Sequence, residues 1–70
     1  MFKLEITLRS APGRRFVFEE VIRVAKGLTF SIYIKRNKNI SLPEALRPFW
    51  DNEDTALRLD MEDVQTFVIS

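Results

Sequence analysis

Phe2, Leu4, Ile6 and Leu8 alternate with Lys3, Glu5, Thr7 and Arg9, and a period of two belongs to an extended strand, whose successive side chains point to opposite faces. The pattern returns twice. Phe30, Ile32 and Ile34 alternate with Ser31, Tyr33 and Lys35, and Leu57, Leu59 and Met61 with Arg58 and Asp60. Three half-buried strands of this kind must put their apolar sides into one shared layer, which confines the chain to folds built on a sheet with one covered face.

The segments between these strands read differently. Phe18, Val21, Ile22 and Ala25 fall at i, i+3, i+4 and i+7, which predicts a helix within Phe16 to Lys26 that ends at Gly27 as its left-handed cap. Phe16-Val17-Phe18 also has strand propensity, so pairing back on the first strand is the alternative for the start of this segment. Ser41-Leu42-Pro43-Glu44 resembles a capping box with proline in the first turn, predicting a short helix through Ala45 and Leu46 to about Trp50. Turns are expected at Ser10-Ala11-Pro12-Gly13 and at the polar hairpin tip Arg36-Asn37-Lys38-Asn39, with Ile40 opening a short return strand. Residues 64–70 stay open between a strand closing a hairpin through Glu62-Asp63, the stub of a helix, and an element swapped in a dimer. The expected class is α+β in a single domain over residues 1–70. It is a small open-faced β-sandwich with one helix layer on a mostly antiparallel sheet, in the order β-α-β-β-α-β.

Length limits the stability of any such fold. A chain of 70 residues hides only about 60% of the surface its unfolded form exposes, and with no cysteine there is no disulfide to add to a thin core. Dimerisation is an available source of extra burial, so a homodimer is as compatible with the sequence as a monomer. Hydrophobic residues at 46% and charged residues at 30% describe a globular chain rather than a disordered one. No apolar run approaches the roughly 20 residues of a membrane span, and the alternating N-terminus is not a signal peptide. The expected compartment is the cytoplasm. Charge is unevenly spread: residues 1–43 hold nine Lys/Arg against three Glu, and residues 44–70 hold two Arg against seven Asp/Glu.

The first half resembles a known family. Met1-Phe2, Glu5-Ile6-Thr7-Leu8, Ala11-Pro12-Gly13 and Ala25-Lys26-Gly27-Leu28-Thr29 look like the first strand, active-site loop and end of the first helix of the histidine-containing phosphocarrier protein of the bacterial sugar phosphotransferase system. Ser41 to Leu46 and Ala56 to Asp60 match its second helix and last strand more loosely. The resemblance implies the α+β order given above, and it implies a partner surface across the start of helix one and the apolar tip of helix two. It arrives without the family's chemistry. The phosphoacceptor histidine is replaced by Arg14 or Arg15, and a guanidinium has no accessible lone pair with which to take a phosphoryl group. The family's second catalytic arginine falls near Phe16, and its regulatory serine aligns with Glu44.

Absence of histidine and cysteine removes the commonest general bases and thiol nucleophiles, and no other catalytic constellation is present. Asp51, Glu53, Asp54, Asp60, Glu62 and Asp63 do not follow the spacing of a calcium loop and have no glycine among them, so no metal and no cofactor is expected. Two surfaces remain. Arg14, Arg15, Phe16, Leu46, Phe49 and Trp50 are the candidates for contact with a protein partner, since aromatics and arginines anchor interfaces. Tyr33, Lys35, Arg36 and Lys38 form a basic tip with an aromatic beside it, the candidate for nucleic acid. A near-neutral chain favours the first, so the expected function is a non-catalytic regulatory or inhibitory protein that docks on another protein. A small nucleic-acid-binding regulator is the alternative.

Overall fold

The computed structural model describes residues 1–36 and 41–70. The three alternating segments are strands: β1 (Phe2–Leu8), β3 (Thr29–Ile34) and β5 (Ala56–Asp60). They belong to one antiparallel sheet with β2 (Arg15–Lys26), β4 (Trp50–Asp51) and β6 (Val64–Ile69), in the order β4-β5-β3-β2-β1-β6. The expected Ile40 strand and most of the Arg36 to Asn39 turn lie outside the described residues.

Among the described residues the helix layer of the α+β sandwich is absent, and with it the phosphocarrier-like architecture that the sequence suggested. Phe16 to Lys26 is one twelve-residue strand, and its helical spacing has a specific origin. Against β1, Leu4 pairs with Phe18 but Phe2 pairs with Val21, so β2 gains a residue at Glu19-Glu20. Against β3, Ile34 pairs with Val21 but Tyr33 pairs with Arg23, so it gains another at Ile22. Each bulge advances the inward position by three residues instead of two. The inward series is therefore Phe16, Phe18, Val21 and Val24, which imitates a helical period, while Ile22 is exposed. Gly27 is not left-handed; the positive-φ glycine is Gly13, at +83° in the turn after β1.

A 3-10 helix (Glu44–Phe49) is the longest helix described. Pro43 is its N-cap and no side chain caps it, so the Ser41 capping box does not form. Pro48 within the segment is incompatible with continued i→i−4 bonding.

Connectivity dictates curvature. Four inter-strand steps separate β5 from β6, about 19 Å in a flat sheet at roughly 4.8 Å per step. Four residue steps join Asp60 to Val64, and these span at most about 14 Å. The sheet must curl, and the bulges in β2 bend it. Its concave face carries the core: Leu4, Ile6, Leu8, Phe16, Phe18, Val21, Phe30, Ile32, Ile34, Leu46, Leu57 and Leu59. Phe67 of β6 reaches across the interior to Phe30 of β3, ring centroids 5.1 Å apart, with the Lys26 ammonium 4.9 Å from the Phe67 ring centre.

Candidate docking surface

Residues 64–70 resolve into the strand β6, which leaves β5 and pairs with β1, so the expected hairpin through Glu62-Asp63 does not form. Its attachment is secured at both ends. The Ser10 backbone N–H and hydroxyl both donate to the Asp63 carboxylate, the Arg9 backbone N–H donates to the Asp63 carbonyl, and Arg9 Nε donates to the Glu62 carbonyl. At the far end Lys3 and Ser70 exchange both backbone hydrogen bonds, at 3.0 and 2.9 Å. Between them the hydroxyls of Thr7 and Thr66 lie 2.6 Å apart.

That exchange sets the orientation of the whole strand. In an antiparallel ladder hydrogen-bonded pairs alternate with non-bonded ones. With Lys3 and Ser70 bonded, the Glu5–Val68 and Thr7–Thr66 pairs are bonded too, and Leu4–Ile69 and Ile6–Phe67 are not. The backbone N–H and C=O groups of Phe67 and Ile69 therefore point away from β1. No strand pairs with that side of β6 among the described residues. The side chains beside it are apolar and accessible: Phe67 38%, Val68 56% and Ile69 52% exposed. No residue from Val64 to Ser70 is charged. The opposite sheet edge is different, since β4 is two residues long, contains Asp51 and follows directly on the 3-10 helix. Sheet edges are usually guarded by charge, proline, shortness, a bulge or a covering segment; β4 has several of these, whereas β6 has only the register shift beside Gln65.

The residues expected to meet a protein partner do not form one exposed surface. Phe16 and Leu46 are buried in the core, and Trp50 is half-buried against it, pairing through β4 with Leu57. Phe49 is exposed. The Arg14 guanidinium lies 4.8 Å from the centre of the Phe16 ring, and Arg15 reaches Glu5 at 3.5 Å.

Of the residues expected to meet nucleic acid, Tyr33 lies on the convex face, Lys35 and Arg36 follow β3, and Lys38 lies outside the described residues. Tyr33 is flanked by Arg23 of β2, 4.2 Å from its ring centre, and by Arg58 of β5 at 5.7 Å. Arg58 is occupied on several sides: its Nε is 3.2 Å and its Nη2 2.6 Å from the carboxylates of Asp51 and Asp54, and its Nη1 donates to the Ser31 hydroxyl. Hydrogen bonding to Arg58 lowers the Tyr33 hydroxyl pKa below its ordinary value. The Asp51 carboxyl is held below the usual carboxylate range, first by the Asp54 backbone N–H and next by Arg58. Arg36 donates to the Glu53 carbonyl. The acidic loop thus holds Arg58 and Arg36, while Arg23 lies over Tyr33. No group of three acidic residues among those described is placed to hold a metal ion, and no helix among them is long and apolar enough to cross a membrane.

Comparison with known proteins returns no matching family model, no matching curated protein and no matching solved structure.

The sequence reading missed Phe67, Val68 and Ile69 as a surface and Arg23 and Arg58 as the neighbours of Tyr33. A signal for the first was present. Val64 to Ile69 is the one β-prone run of six beyond β3 that contains no charge, and an uncharged strand is either central or an unguarded edge. The arginines have no such signal, because their proximity to Tyr33 depends on strand order.

Proposed function

We propose that this chain is a non-catalytic docking module, of the regulatory or inhibitory kind, that binds another protein by adding a strand along β6. One observation carries the reading. The Phe67 and Ile69 backbone groups point away from the ladder on a strand free of charge and flanked by exposed apolar side chains. Strand addition of this type takes its affinity from main-chain hydrogen bonds and its selectivity from alternating side chains. The near-neutral overall balance agrees, because a polyanion partner calls for a strongly basic surface, and Arg58 beside Tyr33 is already paired with Asp51 and Asp54.

The test is binding of a displayed library of extended peptides to the folded domain, compared with two variants. Ile69→Pro removes one outward N–H without touching the ladder to β1, a position where proline is tolerated. Lys35→Gln/Arg36→Gln removes the charge that follows β3. Uncharged, β-branched or aromatic peptides should be enriched, bind at least about tenfold more weakly to Ile69→Pro, and be indifferent to the second variant and to salt. Equal binding by Ile69→Pro refutes the edge. Salt-sensitive capture of nucleic acid alone, lost with Lys35→Gln/Arg36→Gln, refutes protein docking and favours the nucleic-acid reading.

A further inference from the structure

β6 is suited to one partner in particular. We infer that the β6 edge pairs antiparallel with β6 of a second copy of this chain, with the two-fold axis at Phe67, so that the two curled sheets join into one. The inference rests on the reading of β6 as a docking edge and names its occupant.

The first argument is charge. A strand that meets its own antiparallel image leaves a charge uncompensated, or facing its like, unless the opposite charge stands at the symmetry-related position, and an uncharged strand has no such condition to meet. β1, β2, β4 and β5 all contain charged residues. β3 is uncharged but is hydrogen-bonded on both sides, to β2 and β5. β6 is the strand that is both uncharged and open.

The second argument is register. Only outward-pointing groups can bond across the new seam, and these belong to Phe67 and Ile69. Antiparallel pairing must therefore set odd-numbered residues opposite odd-numbered ones. Three registers are open, centred on Thr66, Phe67 or Val68. Centring on Thr66 sets Asp63 and Glu62 against the end of the other strand, and Asp63 is already held by Ser10. Centring on Val68 sets Phe67 opposite Ile69 and makes no aromatic pair. Centring on Phe67 stays within the regular ladder, which ends at the register shift between Thr66 and Val64, and sets Thr66 opposite Val68 and Phe67 opposite its own copy. The last is an aromatic cross-strand pair, among the more stabilising kinds.

The third argument is what the fold leaves uncovered. Among the described residues β6 is the last strand on its side of the sheet, and its concave-side residues Phe67 and Ile69 are exposed. A second copy continues the concave layer past them, burying the surface that a foreign strand would have to match by its own sequence.

The register makes a test that distinguishes it from any other dimer. Thr66 and Val68 lie on the convex side, where Val68 neighbours Glu5 and Thr66 neighbours Thr7. T66E/V68K sets glutamate opposite lysine twice across a Phe67-centred seam, whereas T66K/V68K sets lysine opposite lysine twice. Sedimentation equilibrium from micromolar to millimolar concentration should show a monomer–dimer equilibrium for the natural sequence. It should be retained by T66E/V68K and weakened about tenfold in T66K/V68K relative to it. Ile69→Pro, which alters no ladder bond to β1, should also weaken it. Circular dichroism of each variant confirms the fold.

A chain that is monomeric throughout overturns the inference. So does a dimer that none of the three variants alters, or one that T66E/V68K disrupts as strongly as T66K/V68K, since the other two registers set like charges opposite each other in both doubles. The docking edge is judged separately: a monomeric chain that still binds extended peptides loses the self-pairing and keeps the edge, and one that does neither loses both.

Discussion

Phe67→Ala tests whether the curled sheet depends on its last strand reaching the first residues of β3. Phe67 is 38% exposed, so about 60% of a side chain of roughly 200 Å² is withheld from water, and at about 25 cal/mol per Å² this burial is about 3 kcal/mol. Truncation to alanine keeps the first carbon and forfeits about 2 kcal/mol of that. The tilted ring pair with Phe30, centroids 5.1 Å apart, adds about 1 kcal/mol beyond area. The expected cost is therefore about 3 kcal/mol, a large share of the roughly 4 to 10 kcal/mol available to a domain of this size. It corresponds to a fall in melting temperature of roughly 12 to 24 °C. Urea denaturation followed through the single tryptophan, Trp50, measures it at one fixed protein concentration, so that any self-association is held constant. Combining Phe67→Ala with Phe30→Leu isolates the ring pair, with an expected coupling of about 1 kcal/mol. A cost below about 1 kcal/mol for Phe67→Ala, or additivity within about 0.3 kcal/mol in the double variant, refutes the argument that this contact holds β6 across the core.

Thr55 has φ of +48°, a strained choice for a β-branched residue. Thr55→Gly should raise stability by about 1 kcal/mol, since relief of roughly 1 to 2 kcal/mol exceeds the added chain entropy; an unchanged urea midpoint refutes it. Gly13 at +83° has open space around it, so Gly13→Ala should cost about 1 kcal/mol from backbone strain alone, and a neutral result shows that the turn adapts. Asp51 has a folded pKa below its ordinary value. The stability it contributes is present above the unfolded pKa, near 4, and is lost as pH falls through the folded value. Melting curves of the natural sequence and Asp51→Asn should therefore differ at neutral pH and converge in acid, and a constant gap between pH 7 and pH 2 removes Asp51 from the acid response.

The strands β1, β3 and β5 were legible because none of them gains an extra residue to break a period of two, and their inward residues Leu4, Ile6, Phe30, Ile32, Leu57 and Leu59 are core residues in the fold. β2 was read as a helix because its two bulges turn strand spacing into a series of threes. A period measured along the chain cannot separate a bulged strand from a helix turn. The β-branched residues Val17, Val21, Ile22 and Val24 favoured the strand, and twelve residues of pairing with β1 and β3 decided it. The phosphocarrier resemblance depended on that helix and on Gly27 as its cap, and Gly27 sits instead in the tight turn between β2 and β3.

From the sequence alone it follows that the chain lacks histidine and cysteine chemistry, that a sheet with one apolar face is obligatory, and that Val64 to Ser70 carries no charge, since these depend only on residue identity and local period. Tertiary structure alone decided which strands became edges, that β6 leaves β5 to pair with β1, and that Arg23 and Arg58 converge on Tyr33. Those outcomes follow from strand order and from three linking residues too short to cross a flat sheet, and both are properties of the closed chain rather than of any segment within it.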